Sequence, residues 1–145
     1  MKLILWKQRN QMTYIEKPQI AFYQKVGELF YAVAAADKVV RESEYKTLKK
    51  LVRDVWSKYD SSVDDYNSQA IYQMEVVFDW FDYERTDADA CFESFENYVK
   101  EHPSLFTEER KKLIYLTANE IADAFSGKNK SELIILGKLQ LLLDE

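Results

Sequence analysis

Glycine occurs three times, proline twice, cysteine once and histidine once in this 145-residue chain. Each scarcity removes a class of structure or chemistry. A β-sandwich or barrel needs a turn about every 8–12 residues, and only glycine or asparagine adopts positive φ cheaply there. Helices need such residues only at their ends, so the composition predicts an all-α fold. A single cysteine excludes an intramolecular disulfide and any cysteine-based four-ligand zinc site. Gly27 and Gly137 fall inside helical patterns and only Gly127 in a turn, so no glycine loop is available to cradle a phosphate. Long apolar runs are missing too. Near the two ends of the chain the runs are Leu3–Trp6, between Lys2 and Lys7, and Leu133–Leu136, four residues each. A signal peptide wants roughly 7–15 and a membrane span roughly 20. The chain is expected to be soluble and cytoplasmic, without a transmembrane segment.

What is present is charge, unevenly spread. The net charge of −5 resolves into +6 over residues 1–59, −10 over 60–96 and −1 over 97–145. Overall acidity argues against nucleic acid, which requires a basic face. Lys46, Lys49, Lys50 and Arg53 fall on the polar side of one helix and read as a solvated face.

Apolar periodicity predicts a compact bundle of about six helices over 18–145, one domain preceded by an arm, residues 1–17. Pro18 opens the first helix, which carries Tyr23, Val26, Phe30 and Val33 inward and ends near Ala34–Asp37. A second runs from about Glu42 to Lys58. A third runs from about Asp65 to Phe81 with two apolar stripes, Ile71/Met74/Phe78/Phe81 and Tyr72/Val76/Trp80, as if contacted on two sides. Thr86 is placed as the cap of a fourth, which buries Cys91, Phe92, Phe95, Tyr98 and Val99 and stops at His102-Pro103. Thr107 opens a fifth, with Ile114, Ala118, Ile121 and Phe125 inward, and Gly127 closes it. Ser131 begins a sixth, Glu132 to Leu143, apolar on nearly every side and expected to be central.

The pattern partly repeats. Glu44, Leu48 and Leu51 follow Ala36-Asp37 as Glu132, Leu136 and Leu139 follow Ala122-Asp123, which reads as a duplicated helical hairpin. The stretch Phe30-Tyr31-Ala32-Val33-Ala34-Ala35-Ala36-Asp37-Lys38-Val39-Val40, with Glu44 and Leu48, resembles the TerB-like tellurite-resistance family. Ile121-Ala122-Asp123-Ala124-Phe125, Gly127 and Glu132-Leu133 resemble the second half of the same module. The resemblance implies an all-helical, non-enzymatic domain associated with stress response, with acidic surfaces, divalent-cation binding and membrane-proximal protein complexes. Two positions depart from the family. Lys38 replaces the glycine after the aspartate, and Arg41 replaces the small capping residue before the next helix.

Asp37, Glu44, Asp123 and Glu132 are the candidate metal ligands, because Ca²⁺, Mg²⁺ or Mn²⁺ needs several oxygens and two facing halves would supply four carboxylates. Acidic residues in a helix's first turn also serve the helix dipole without any metal. Asp82, Glu84, Thr86 and Glu93 have calcium-loop spacing, but Asp87 stands where the sharp turn demands glycine, so that reading fails. Cys91 and His102 are 11 residues apart on one helix, about 16 Å at ~1.5 Å per residue, too far for a dyad. No catalytic residue emerges. The alternative to a binding module is a hydrolase or transferase using carboxylate-bound Mg²⁺ or Mn²⁺. Asp79, Asp82, Glu84, Asp87 and Asp89 crowd one helix–helix turn and are the candidate partner-binding residues, for a protein with a basic surface or a second copy. Trp56, Tyr66 and Tyr83 are the aromatics expected to be exposed.

Overall fold

The computed structural model describes residues 18–63, 68–125 and 127–145. The arm, residues 1–17, and Tyr66 therefore lie outside the described residues. The expected all-α bundle is observed. Among the described residues there are six principal helices: α1 (Pro18–Ala34), α2 (Glu42–Leu51), α3 (Gln73–Glu84), α4 (Ala88–Glu101), α5 (Glu108–Asp123) and α6 (Lys130–Leu143). α2 continues through a π-helical turn, Val52–Trp56, to Tyr59, and a 3-10 turn, Ala70–Tyr72, leads into α3.

The central helix is α1, not the last helix as its apolar composition predicts. From Phe22 to Ala34 nearly every residue of α1 is buried, and α3, α4, α5 and α6 all pack on it. α6 buries only one side, Ile135, Leu136, Leu139, Leu142 and Leu143, and leaves Leu133, Ile134 and Leu141 in solvent. α1 and α3 run parallel, since Gln24 bonds Gln73 while Tyr31, seven residues on, packs on Phe78 and Phe81. Their closest approach is at Gly27. A Cβ built there would lie 2.6 Å from the Met74 carbonyl oxygen and 2.8 Å from its Cα.

Several local expectations are corrected. Trp56 is buried rather than exposed: its ring meets Tyr23, Phe30 and Tyr59 edge-on, and its indole N–H donates to Thr117 Oγ1 at 2.9 Å. The wide π turn, with its extra residue, delivers the indole to that partner. The third helix starts later than Asp65, because Val63 and Gln69 pair as an antiparallel bridge and the Ala70 N–H bonds the Ser62 carbonyl. Only its Ile71/Met74/Phe78 stripe is buried; Tyr72, Val76 and Trp80 are exposed. Asp87, not Thr86, caps α4 by accepting from the Ala90 N–H at 3.0 Å. Thr86 instead finishes α3: Arg85 turns left-handed at φ 55 and the Thr86 N–H returns to the Phe81 carbonyl. Phe125, expected inside, is half exposed beyond the end of α5. Lys38 adopts the left-handed conformation that favours glycine, at φ 70.

The Gly27 contact gives a paired prediction. Gly27→Ala should destabilise the fold by about 1–3 kcal/mol by forcing α1 from the α3 backbone. Gly137→Ala, which meets nothing within 4 Å, should stabilise by about 0.5–1 kcal/mol through the helix preference of alanine. Urea unfolding of both variants checks the opposite signs.

Candidate functional site

Asp37 follows α1 in a tight turn, with its side chain only 16% exposed. Its Oδ1 accepts from the Val39 N–H at 3.0 Å. Its Oδ2 accepts from the Arg41 guanidinium at 3.0 Å and from the Asn129 side-chain amide at 2.6 Å. Burial would raise its pKa, but these three donors more than offset that and hold it below the usual range. Arg41 has no capping oxygen, as its sequence position implies, and makes no side-chain cap. Its guanidinium has a different task. It lies against Asp37, 3.9 Å from Glu44 Oε2, and 4.6 Å over the Phe125 ring.

Glu44 and Glu132 occupy the same position in two helices. Glu44, third in α2, accepts the Arg41 backbone N–H at 2.7 Å through Oε1. Glu132, third in α6, accepts the Asn129 backbone N–H at 3.0 Å through Oε1, and Asn129 Oδ1 returns the contact from the Glu132 N–H at 2.9 Å. Each carboxylate thus satisfies a backbone donor that a helix start leaves free. Both side chains are buried, and the two carboxyl groups come within hydrogen-bonding reach of each other. Glu44 Oε2 has no N–H donor, so a proton held between the carboxyls is its natural partner. Burial pushes the Glu44 carboxyl up to about 7, against the pull of the Arg41 N–H, and the facing Glu132 pushes it further the same way.

The four sequence-nominated ligands therefore divide. Glu44 and Glu132 meet, Asp37 joins them through Arg41 and Asn129, and Asp123 stands apart. Its side chain is 55% exposed and pairs with Lys128 at 3.4 Å. Among the described residues no three histidine, cysteine or acidic side chains stand close enough to hold a metal ion. The sequence reading missed Asn129 by starting the last helix at Ser131. The signal was available, since Asn129 and Glu132 have the N-cap to N3 spacing of a capping box.

The second candidate region is open. Asp79, Asp82, Glu84, Asp87 and Asp89 are all exposed around the α3–α4 turn. Partial burial lifts the Asp82 pKa, repulsion from Asp79 adds to it, and Arg85 opposes. Lys38 and Arg85 share a depression of about 480 Å³ with Asp82 and Asp87, so the acidic turn holds some counter-charge of its own. Along the outer side of α3, beside these carboxylates, Val76 is 58%, Trp80 48% and Tyr83 83% exposed. Lys46, Lys49, Lys50 and Arg53 are solvated, as expected, with Lys46 near Glu42 at 3.8 Å and Lys49 over the Tyr45 ring. Burial pushes the Cys91 thiol up to about 12, with Glu28 beside it, which leaves no thiolate for nucleophilic work.

The carboxyl pair predicts a pH effect with a definite sign. A glutamate whose folded pKa is raised binds its proton more tightly in the native state, so stability is greatest at low pH. That contribution should fall as pH rises from the ordinary 4.5 to about 7. Glu44→Gln keeps an oxygen for the Arg41 N–H and supplies a donor to Glu132. It should be more stable than the parent at pH 8, close to it at pH 5, and show a flatter profile between. Chemical denaturation of both proteins at those pH values measures the difference.

No protein-family model, curated protein or solved structure matches the chain, so its site is read from its own geometry.

Proposed function

We propose that this chain is a non-enzymatic, TerB-like helical module that works by binding the basic surface of another protein. The observation that carries the reading is the ridge on α3. Val76, Trp80 and Tyr83 stand in solvent in one line, with Asp79 and Asp82 beside them. Exposed aromatics flanked by one sign of charge suit a protein interface: apolar area supplies affinity, and the carboxylates steer and select a lysine- or arginine-bearing partner. The TerB-like assignment rests on Phe30–Val40 with Glu44 and Leu48. The stress-response and membrane-proximal associations come with it. No described helix is long and apolar enough to cross a membrane.

A cation is a secondary part of the proposal. Asp37, Glu44 and Glu132 would have to draw together to be its ligands, since they do not stand close enough as they are, and the ion would have to displace the Arg41 guanidinium, which lies 3.0 Å from Asp37. Binding of Ca²⁺, Mg²⁺ or Mn²⁺ is then weak. The alternative, a carboxylate–metal hydrolase or transferase, asks for a larger convergent ligand set, and the position of Asp123 beside Lys128 works against it.

Two measurements test these readings. In pull-downs from the native cell extract, Asp82→Asn with Asp87→Asn should lose the partners that the parent retains. Recovery by the parent should itself fall steeply with added salt. Asparagine still caps α4, so folding is preserved. Equal recovery by the double variant would sink the interface. Calorimetric titration with Mn²⁺ should give millimolar or weaker binding that Asp37→Asn abolishes; a micromolar constant, or binding indifferent to Asp37→Asn, would remove the cation from the proposal.

A further inference from the structure

A groove of about 750 Å³ runs between α4 and α6; it touches the acidic region above at Asp89 and the carboxylate site through Ala36 and Ser131, the neighbours of Asp37 and Glu132. Phe92 lies at its floor, and Ile134 and Leu141, 52% and 71% exposed, form an apolar wall that nothing in the described chain covers. Asp89, Glu93, Glu96 and Glu145 line it as well, against one cation among the described residues, Lys138, which sits 5.9 Å over the Phe92 ring. The groove is thus apolar within and carries a net −3 among its lining residues.

We propose that the N-terminal arm docks here, with Leu3, Ile4, Leu5 and Trp6 against the apolar wall and Lys2, Lys7 and Arg9 on the acidic rim. Three arguments select this occupant. The first is chemical: Lys2 to Arg9 places four consecutive apolar residues between cations totalling +3, the complement of the groove. The second is reach. Ala36, just past α1, lies on the groove wall, so the groove stands about one helix length from Pro18. That is about 25 Å at ~1.5 Å per residue. The residues between Trp6 and Pro18 can span about 36 Å at ~3.3 Å per residue. The third is tethering, which raises the arm's effective concentration to about the millimolar range without further contacts. A second copy would need about 800 Å² of surface per partner, more than a groove suited to one short segment presents.

Disulfide trapping in the full-length chain tests the proposal. Leu5→Cys with Leu141→Cys, oxidised at low protein concentration, should form an intrachain bond at a rate independent of concentration. The rate should exceed that of Leu5→Cys with Tyr83→Cys by about tenfold or more, as tethered docking at one place requires. Equal rates, no bond, or a product dominated by linked dimers would overturn it, the last by showing that a second copy fills the groove. Leu141→Asp alone, at a solvent-facing position that the fold does not need, should speed tryptic cleavage after Lys7 and Arg9 severalfold. Unchanged cleavage, with the helical circular dichroism intact, would also overturn it.

Discussion

The hydrogen bond from Asn129 to Asp37 joins residues 92 apart in sequence, and beneath it Glu44 and Glu132 bury their carboxyl groups together. Two buried carboxyls cannot both be charged without large cost, so the arrangement depends on how their oxygens are satisfied. Each gives one oxygen to the backbone N–H at the start of its own helix, a donor that would otherwise be left unpaired. The remaining oxygens meet each other and, for Glu44, the edge of the Arg41 guanidinium. The result couples the start of α2 to the start of α6. Because α2 packs on α5 and α6 packs on α1, the first and last hairpins share one polar pin at the edge of a continuous apolar core.

That pin explains why acidic residues at those positions are not free for other work. Asp37 accepts three hydrogen bonds, and two come from side chains that would have to move before an ion could approach. Arg41 is in effect a built-in counter-ion, placed where the sequence pattern would put a capping serine or threonine. Its planar fork reaches Asp37 while its flat face covers Phe125, a combination a lysine could not reproduce.

Much of this fold was legible because helices announce themselves by period and ends. The buried residues of α1, α4 and α5 stand at the spacings read from the sequence, and His102-Pro103 stops α4, whereas α5 ends at Asp123 and is capped by Ala124, short of the expected Gly127. Glu44 and Glu132 were legible as first-turn acids. Their meeting was legible only as a consequence of the repeated pattern. What periodicity cannot report is which apolar stripe finds a neighbour. Tyr72, Val76 and Trp80 repeat as well as Ile71, Met74 and Phe78, yet only the second set faces α1. α6 looks central because it is apolar all round, whereas α1, with glutamate and lysine in its run, is the helix that others enclose. Asp123 was chosen by its likeness to Asp37 after an alanine. The partner that contacts Asp37 is Asn129, six residues on, in a capping pattern that composition alone does not distinguish from a polar loop.

The charge asymmetry of the sequence acquires a different meaning once the helices are packed. The basic residues of α2 do not face the most acidic turn; they run beside α3, where Lys49 and Arg53 act on Glu75, and Tyr45 stacks on Phe78 between the two helices. Compensation is therefore lateral and partial. It reaches Glu75 but leaves Asp79, Asp82 and Glu84 on the outer side, where, among the described residues lining the depression at the turn, Lys38 and Arg85 are the cations. A fold selected only for its own stability could spread these charges, since like charges at contact distance repel by about 1 kcal/mol per pair even in water. Their concentration beside three exposed apolar side chains places the unbalanced charge and the uncovered apolar area on one ridge. Those are the two properties that a partner of opposite charge would neutralise together.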